Sequence, residues 1–282
     1  MVKIITDIGY CYGVEEAIHA MEEAAKEGKH VLLSHPLIHN RKENGRLMEA
    51  NHAVFFSEGM KGDKDSIFVF SAHGHTLPEE ETMGKLFQTK DATCPLIVRR
   101  YKSIQREDGV SYVYLGKKDH QETLGFLSHF PYFLFLDSSL PLPPQIRAFS
   151  LLGQIAFVPQ TTIGESLYME AKSLLSEKGE IVFSLPICPI YGRRLDQAVA
   201  FFKNEDPESS YFIVVGDPSS SNAREILSGT LASSSGLQGR IALSPEEIPQ
   251  SIRETKNLFL SSATSTSKEE VLRFVEGLSC RS

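Results

Sequence analysis

The stretch KDATCPLIVRR, residues 90–100, places Cys94 where a polar loop gives way to an apolar, helix-like run. The proline that follows the cysteine suits the first position of a helix, because that position needs no amide donor. Two further cysteines have the same setting, at the start of CYGVEEAIHAM (residues 11–21) and of CPIYGRRLDQAVAFF (residues 188–202). We therefore interpret the three cysteines as equivalent positions of a repeated unit.

Short apolar runs rich in Val, Ile, Leu and Phe recur along the chain and stop at loops, as is typical of buried parallel strands. We predict nine strands, in the runs HVLLSH, SIFVFSAHG, SYVYLG, YFLFLD, QIAFVPQ, EIVFSLP, YFIVVGD, RIALS and NLFLSS. Helical patterns lie between the runs, one from Val14 that closes on Gly28 and another that closes on Gly179. Strand, loop and helix repeated in this way predict an α/β fold.

Each of the three cysteines is followed by two apolar strands that end in polar residues. The first strand ends hold His39, Glu122 and Asn222, and the second hold His73, Thr161 and Ser265. This pattern predicts three pseudo-equivalent small α/β domains with parallel sheets, arranged around a common centre. The predicted domains are residues 12–93, 94–187 and 188–282, with residues 1–11 packing at the centre.

The composition excludes several classes of partner. The formal net charge is -7 and no long Lys/Arg block occurs, which argues against nucleic acid or an anionic membrane surface and favours a small molecule. The N-terminal MVKIITDIGY has no signal-peptide or transit character, so we predict a cytoplasmic protein. In that reducing compartment cysteines are more often ligands, nucleophiles or buried side chains than disulfide partners.

Thiolates are favoured at helix N-termini, where unpaired amides and the helix dipole stabilise negative charge. Three thiolates at one centre would repel each other unless a metal centre neutralised them. Structural zinc sites usually have short C-x2-C spacings, which this chain lacks. A [4Fe-4S] cluster held by Cys11, Cys94 and Cys188 fits better, with one iron open to a substrate oxygen. Cys280, which no helix start follows, is predicted not to be a ligand.

The polar loops offer proton carriers and anion-binding groups. Histidines cluster at strand ends in SHPLIHN, SAHGHT and DHQET, which favours a functional role for them. In GDPSSSNAREIL the residues Ser220, Ser221 and Asn222 precede a helix and could cradle a phosphate. A serine-rich turn with a helix cap explains the same residues equally well.

The motifs GYCYGV, SAHG, DATCPL, HQE, QTT and SSSN, in this order around the three cysteines, resemble the 4-hydroxy-3-methylbut-2-enyl diphosphate reductase family. The resemblance runs from Cys11 to about Ser267. It implies three α/β domains around a [4Fe-4S] cluster and the last step of the methylerythritol phosphate route to isoprenoids. In that reaction two electrons and two protons remove a hydroxyl group as water, giving isopentenyl and dimethylallyl diphosphates, and ferredoxin or flavodoxin supplies the electrons.

The resemblance also implies roles for individual residues. Glu122 would deliver protons, with Thr161 orienting the substrate hydroxyl and His120 beside them. The substrate diphosphate would be bound by His39, His73, His120, Ser220, Ser221, Asn222 and Ser265. The last loop can be aligned in two ways, so Thr266 competes with Ser265.

The sequence departs from the family pattern at Gln121, Tyr191, Leu195, Ser219 and in residues 261–267. These changes spare the cysteines and Glu122, so they bear on the substrate more than on the cluster. Three alternatives follow. The chain could be a cluster enzyme of the same fold that reduces or dehydrates another anion, a non-catalytic iron-sulfur sensor, or a hydrolase with a cysteine nucleophile.

Overall fold

The computed structural model describes residues 1–60, 62 and 64–279, so the prediction for Cys280 lies outside the described residues. The strands are β1 (Val2–Ile4), β2 (His30–Leu33), β3 (Val54–Phe55), β4 (Ser66–Phe70), β5 (Gln88–Asp91), β6 (Val110–Gly116), β7 (Leu134–Asp137), β8 (Gln154–Pro159), β9 (Glu180–Ser184), β10 (Ser210–Val215), β11 (Gln238–Ala242) and β12 (Asn257–Ser262). The helices are α1 (Tyr12–Lys26), α2 (Arg41–Ala50), α3 (Leu77–Leu86), α4 (Pro95–Ser103), α5 (Gln121–His129), α6 (Leu142–Arg147), α7 (Glu165–Ser176), α8 (Pro189–Phe202), α9 (Ser221–Ser233), α10 (Gln250–Thr255) and α11 (Lys268–Ser279), with a 3-10 turn at Pro245–Glu247.

The strands form three four-stranded sheets in which the described pairings are parallel. Their orders are β3-β2-β4-β5, β7-β6-β8-β9 and β11-β10-β12-β1. Read in this direction the three sheets have the same connectivity, except that the third takes its last strand from the N-terminus. The predicted α/β fold with three pseudo-equivalent parallel sheets is therefore confirmed. The predicted domain boundaries stay a prediction.

All nine predicted strands are present, but the sequence analysis missed β1, β3 and β5. Each of the three lies at the edge of its sheet. The side chains of β3 are exposed, and those of β5 are mostly exposed. An edge strand that faces solvent needs no apolar run, so its sequence does not resemble a buried parallel strand.

The core of each sheet lies around its two middle strands. In β4 and β10 every residue is buried, on both faces of the sheet. In the sheet formed by β6 to β9, Val113 and Phe157 pack against Ile146 of α6 and Leu175 of α7. Burial of each such side chain contributes about 1.5–3 kcal/mol to folding, so packing rather than helix propensity holds these helices on the sheet.

The two predicted helices that close on glycine are present as α1 and α7. Gly28, just beyond α1, has a positive φ of 74°, which glycine adopts without a steric penalty and which ends the helix. Across the described part of the chain, the helices are too short or too polar to span a bilayer.

The chain forms two compact units. The terminal unit comprises Met1–Glu15, Ile38–Ala50 and the chain from Pro189 onward, and it contains the sheet of β1, β10, β11 and β12. The central unit comprises Glu16–Leu37 and Asn51–Cys188, and it contains the other two sheets.

Each of the three cysteines directly precedes a helix, as predicted. The backbone N–H of each donates to a carbonyl oxygen two residues beyond the end of β4, β8 or β12. The donor and acceptor pairs are Cys94 and Ala72 (3.0 Å), Cys188 and Thr161 (2.7 Å), and Cys11 and Thr264 (3.1 Å). This repeated bond attaches each of these three cysteines to the polar loop at a strand end.

A buried arginine six residues after the cysteine adds a second connection in two of the three repeats. Arg100 donates to the carbonyl oxygens of Pro159 (2.6 Å) and Pro186. Arg194 donates to those of Ser262 (2.9 Å) and Gly9 (2.6 Å). In both cases the acceptors are the last residue of a strand and the residue two positions before another cysteine. The third equivalent position holds Ala17, a buried side chain without hydrogen-bonding groups.

We predict that Arg100→Met lowers the free energy of unfolding by about 2–3 kcal/mol, because two carbonyl oxygens lose a charged donor. Arg99→Met is the matched control, since Arg99 is exposed on the same helix and should change stability by less than about 0.5 kcal/mol. Urea denaturation followed by circular dichroism measures both. Equal losses in the two variants would contradict a special role for Arg100.

Candidate active site

Glu122 is a buried carboxyl group near the N-terminus of α5, with 5% of its surface exposed. Its Oε1 accepts a hydrogen bond from the backbone N–H of Thr161 at 2.7 Å, and its Oε2 accepts one from the Thr161 hydroxyl at 2.6 Å. The carbonyl oxygen of Thr161 accepts a hydrogen bond from the backbone N–H of Cys188. Consecutive hydrogen bonds therefore join a carboxyl group, a hydroxyl-bearing residue and a cysteine.

Burial is the largest influence on the Glu122 carboxyl and raises its pKa above the ordinary value. The charge of Arg100 and the two hydrogen bonds from Thr161 act in the opposite direction, but the net shift of the pKa is upward. A carboxylic acid with a raised pKa keeps its proton at pH values where an exposed glutamate loses it. Glu122 is therefore better suited to donate a proton than an exposed glutamate is.

Two of the predicted histidines lie close together in the central unit. His120 caps α5, and its Nδ1 accepts a hydrogen bond from the Glu122 backbone N–H at 3.2 Å. A neutral His120 therefore carries its proton on Nε2, which is a donor. The ring of His73 lies 5.9 Å from that of His120, with the two planes nearly perpendicular. His73 directly follows Ala72, the residue that accepts the Cys94 amide.

In the terminal unit, hydrogen bonds connect three of the predicted binding loops. The hydroxyl of Ser265 donates to the carbonyl oxygen of His39 at 2.8 Å. The side-chain amide of Asn40 donates to the Ser265 carbonyl oxygen at 3.1 Å. The side-chain oxygen of Asn222 accepts the backbone N–H of Thr264 at 2.9 Å. These hydrogen bonds hold the loops after β2, β10 and β12 together.

The serine loop before α9 is a helix cap. Ser220 is fully buried, and its hydroxyl accepts the backbone N–H of Ala223 at 3.5 Å. Ser221 is partly exposed, and its hydroxyl accepts a hydrogen bond from Arg224 at 3.2 Å. The cap explanation from the sequence is thus correct for Ser220, while the backbone amides of the first turn still point along the helix axis.

The two candidates in the last loop differ in their surroundings. Thr266 is fully buried, and its hydroxyl donates to the carbonyl oxygen of Val215 in β10 at 3.2 Å. Ser265 is also buried, at 2% exposure, but its partner is the carbonyl oxygen of His39, a predicted binding residue. The Thr266 hydroxyl also accepts a hydrogen bond from the Asn40 amide at 3.4 Å, so both residues contact the loop after β2, and Thr266 contacts the end of β10 as well.

The structure distributes the predicted site residues over both units. The central unit contains His73, Cys94, His120, Glu122, Thr161 and Cys188. The terminal unit contains Cys11, His39, Ser220, Ser221, Asn222 and Ser265. Within each unit these residues lie in loops, or at the helix starts next to them, that follow the carboxyl ends of parallel strands. Ligands bind at these ends in α/β sheets.

Sequence reasoning missed the residues that hold the loops of the terminal unit together. Asp217, whose side chain is fully buried, accepts hydrogen bonds from the backbone N–H and the Nε of Arg41, both at 3.0 Å. It also accepts the backbone N–H of Ser219 at 2.8 Å. Burial would raise the pKa of Asp217, but these hydrogen bonds lower it to about 2. The sequence feature that could have identified Asp217 is its position just after a strand, in GDPSSSN.

One departure from the family pattern has a packing partner. Leu195 of α8 lies against Gly229 of α9, where a Cβ on the glycine would come within 2.8 Å of the leucine side chain. The small residue lets the two helices approach. Gln121 donates from its amide to Glu79 at 3.4 Å, so it contacts α3.

The fold and these loops define an α/β protein of three parallel sheets, with one cysteine at the start of a helix in each repeat and a buried carboxyl group linked through Thr161 to one of these cysteines. The family described as LytB protein matches residues 2–279. The chain belongs to this family.

Relatives of the chain carry one name. This chain is 29% identical over 270 residues to the 4-hydroxy-3-methylbut-2-enyl diphosphate reductase of Thermotoga maritima, and the match covers 94% of this chain and 91% of the relative. It is 26% identical over 270 residues to the reductase of that name from Chlamydia trachomatis serovar L2, covering 93% and 86%. The chain thus spans most of the length of both relatives.

Two solved structures share the fold. The structure of the E-1-hydroxy-2-methyl-but-2-enyl-4-diphosphate reductase from Plasmodium falciparum has a TM-score of 0.84 and 22% identity, covering 98% of this chain and 87% of the other. That of an (E)-4-hydroxy-3-methyl-but-2-enyl diphosphate reductase, the terminal enzyme of the non-mevalonate pathway, has a TM-score of 0.68 and 23% identity, covering 98% of both chains. At these identities the likeness establishes the three-sheet fold.

We predict that Asp217→Asn lowers the free energy of unfolding at pH 7 by about 2 kcal/mol, since a pKa depressed to about 2 means that folding stabilises the carboxylate. That contribution is present above the unfolded pKa near 4 and is lost as the pH falls toward 2. The variant should therefore lose less stability than the wild type over that range. Urea denaturation at several pH values measures this.

The matched control is Asp196→Asn, because Asp196 is exposed on α8. Its pH dependence should follow that of the wild type. If Asp217→Asn does so as well, the carboxylate of Asp217 does not hold the loops in the way its contacts indicate.

Proposed function

We propose that the chain is a 4-hydroxy-3-methylbut-2-enyl diphosphate reductase. It would remove the hydroxyl group of its substrate as water, with two electrons and two protons, and yield isopentenyl and dimethylallyl diphosphates. The observation that carries the proposal is the hydrogen-bonded series from Glu122 through Thr161 to Cys188, which joins a buried carboxyl group to the backbone amide of a cysteine. Membership of the LytB family and the shared name of its relatives support it.

The proposed cofactor is a [4Fe-4S] cluster held by Cys11, Cys94 and Cys188. Their setting fits thiolate ligands, because each begins a helix and each is partly exposed. Three thiolates leave one iron of such a cluster without a protein ligand. When bound, the cluster would supply the electrons and a Lewis-acidic site for the substrate oxygen.

In the proposed reaction Glu122 holds a proton on its carboxyl group and transfers it to the departing hydroxyl oxygen, which leaves as water. Burial raises the pKa of Glu122, which favours the protonated carboxyl group relative to that of an exposed glutamate. The Thr161 hydroxyl, 2.6 Å from Glu122 Oε2, orients the substrate hydroxyl toward the acid. The Nε2–H of a neutral His120 can donate to an anionic oxygen of the substrate.

The proposed diphosphate ligands share a position at strand ends or at helix starts. They are His39, His73, His120, Ser220, Ser221, Asn222 and Ser265. The start of α9 adds unpaired backbone N–H groups that favour an anion. Ser265 is preferred to Thr266, because the Thr266 hydroxyl is fully buried and bonded to the Val215 carbonyl.

The electron donor and the location rest on the sequence. A one-electron carrier such as ferredoxin or flavodoxin would deliver the two electrons in separate steps. The cytoplasmic location stays a prediction from the N-terminal residues. The proposed substrate is a small molecule and requires neither nucleic acid nor a membrane.

We predict that Cys94→Ser loses most of the iron and sulfide that wild-type protein contains after anaerobic purification, which should be about four of each per chain. A serine hydroxyl is a much poorer ligand than a thiolate for the cluster. Cys280→Ser is the control and should keep the full content and the visible spectrum. Full iron content in Cys94→Ser would exclude Cys94 as a ligand.

We predict that wild-type protein with a reduced mediator converts 4-hydroxy-3-methylbut-2-enyl diphosphate, and that Glu122→Gln lowers the rate about 100- to 10,000-fold with unchanged iron content. The amide keeps the shape of the side chain but cannot donate the acidic proton. Glu107→Gln, at an exposed position, should retain activity. A wild-type protein with an intact cluster and no product would overturn the proposed substrate.

A further inference from the structure

A second group of potential metal ligands lies in the central unit, away from the cysteines in sequence. It consists of His75, which follows β4, Glu80 of α3 and His129, the last residue of α5. One ligand atom from each lies within 4.8 Å of the other two. We propose that these three side chains bind one Zn²⁺ ion, at a site separate from the proposed cluster and independent of the proposed function.

The distances suit zinc. Ligand atoms at 2.0–2.2 Å from a tetrahedral zinc are about 3.4 Å apart. The Nε2 of His75 is 3.5 Å from Oε2 of Glu80, so a zinc ion fits between these atoms without movement. Bringing His129 to the same spacing requires a shift of at most about 1.4 Å in a side chain that is only partly buried.

Both histidines are already oriented by other groups, as metal-binding histidines usually are. The Nδ1 of His75 is buried without a hydrogen-bond partner among the described residues, and the nearest carboxylate oxygen, Oδ1 of Asp91, is 3.8 Å away. The His75 ring stacks on Phe70 at 4.0 Å. The His129 ring packs against that of Tyr101, with the ring centroids 5.0 Å apart. Zinc bound at Nε2 of His75 would fix a proton on Nδ1, facing Asp91.

The electrostatics of the group also favour a cation. Glu80 supplies a negative charge, and its Oε2 lies 3.5 Å from Nε2 of His75. Two imidazoles and a carboxylate are a donor set that zinc accepts readily. Glu80 is 52% exposed, which leaves a path for the ion and room for a water molecule as fourth ligand.

A zinc ion here would connect two parts of the proposed active site. His75 lies two residues after His73, and His129 ends the helix that begins beside His120 and contains Glu122. Glycine at position 125 of that helix already allows close contact, since a Cβ there would come within 2.9 Å of the His75 carbonyl oxygen. The ion would hold the loop after β4 against α5 and stabilise the central unit.

The test uses cluster-containing protein, purified without a polyhistidine tag and incubated with Zn²⁺. We expect one zinc per chain by elemental analysis, and a zinc-edge X-ray absorption spectrum with nitrogen and oxygen ligands at about 2.0–2.1 Å. His75→Gln and His129→Gln should each weaken binding at least tenfold in competition with a chromophoric chelator. The matched control is His19→Gln, because His19 pairs with Glu23 on an exposed helix face and should bind zinc as the wild type does.

Two outcomes would overturn the proposal. One is a first shell containing sulfur at about 2.3 Å, which would mean that the zinc occupies cysteines instead. The other is zinc binding that is absent in the wild type or unchanged in both histidine variants. The X-ray absorption measurement needs only the wild type, so it decides the question even if a variant fails to fold.

Discussion

The hydrogen bond from each cysteine amide to a carbonyl oxygen just beyond a buried strand is the constraint on which the site depends. Because this bond recurs at Ala72, Thr161 and Thr264, each of the three cysteines is fixed to a loop that also carries a polar side chain. The bond uses only backbone atoms and does not involve the thiol. The strands before these loops, β4, β8 and β12, are buried except at the first residue of β8 and of β12, so each loop has a rigid base.

The three repeats are alike in topology but not in the side chains that support them. Arg100 and Arg194 reach the last residue of a strand and the approach to the next cysteine, whereas Ala17 has no group to do so. A buried guanidinium needs carbonyl partners to offset its desolvation, and desolvation lowers the pKa of Arg194. The two arginines therefore stabilise loops whose carbonyl oxygens point inward.

Two buried carboxyl groups show how surroundings assign different roles to similar residues. Asp217 accepts two backbone N–H groups and a guanidinium, so its pKa falls to about 2 and it stays ionised. Glu122 has one backbone and one hydroxyl donor, and the effect of burial outweighs them, so its pKa rises. Asp217 is thus a structural anion, and Glu122 a candidate acid.

The sequence by itself determined the α/β class, the nine apolar strands and the helix that follows each cysteine, because burial and helix starts leave local patterns. It also pointed to Glu122 and Thr161, through the resemblance of short motifs. Edge strands such as β5 and the supporting residues Asp217 and Arg100 were decided only by the tertiary structure. Their function depends on partners distant in the chain, and no local periodicity records which carbonyl oxygen a side chain will meet.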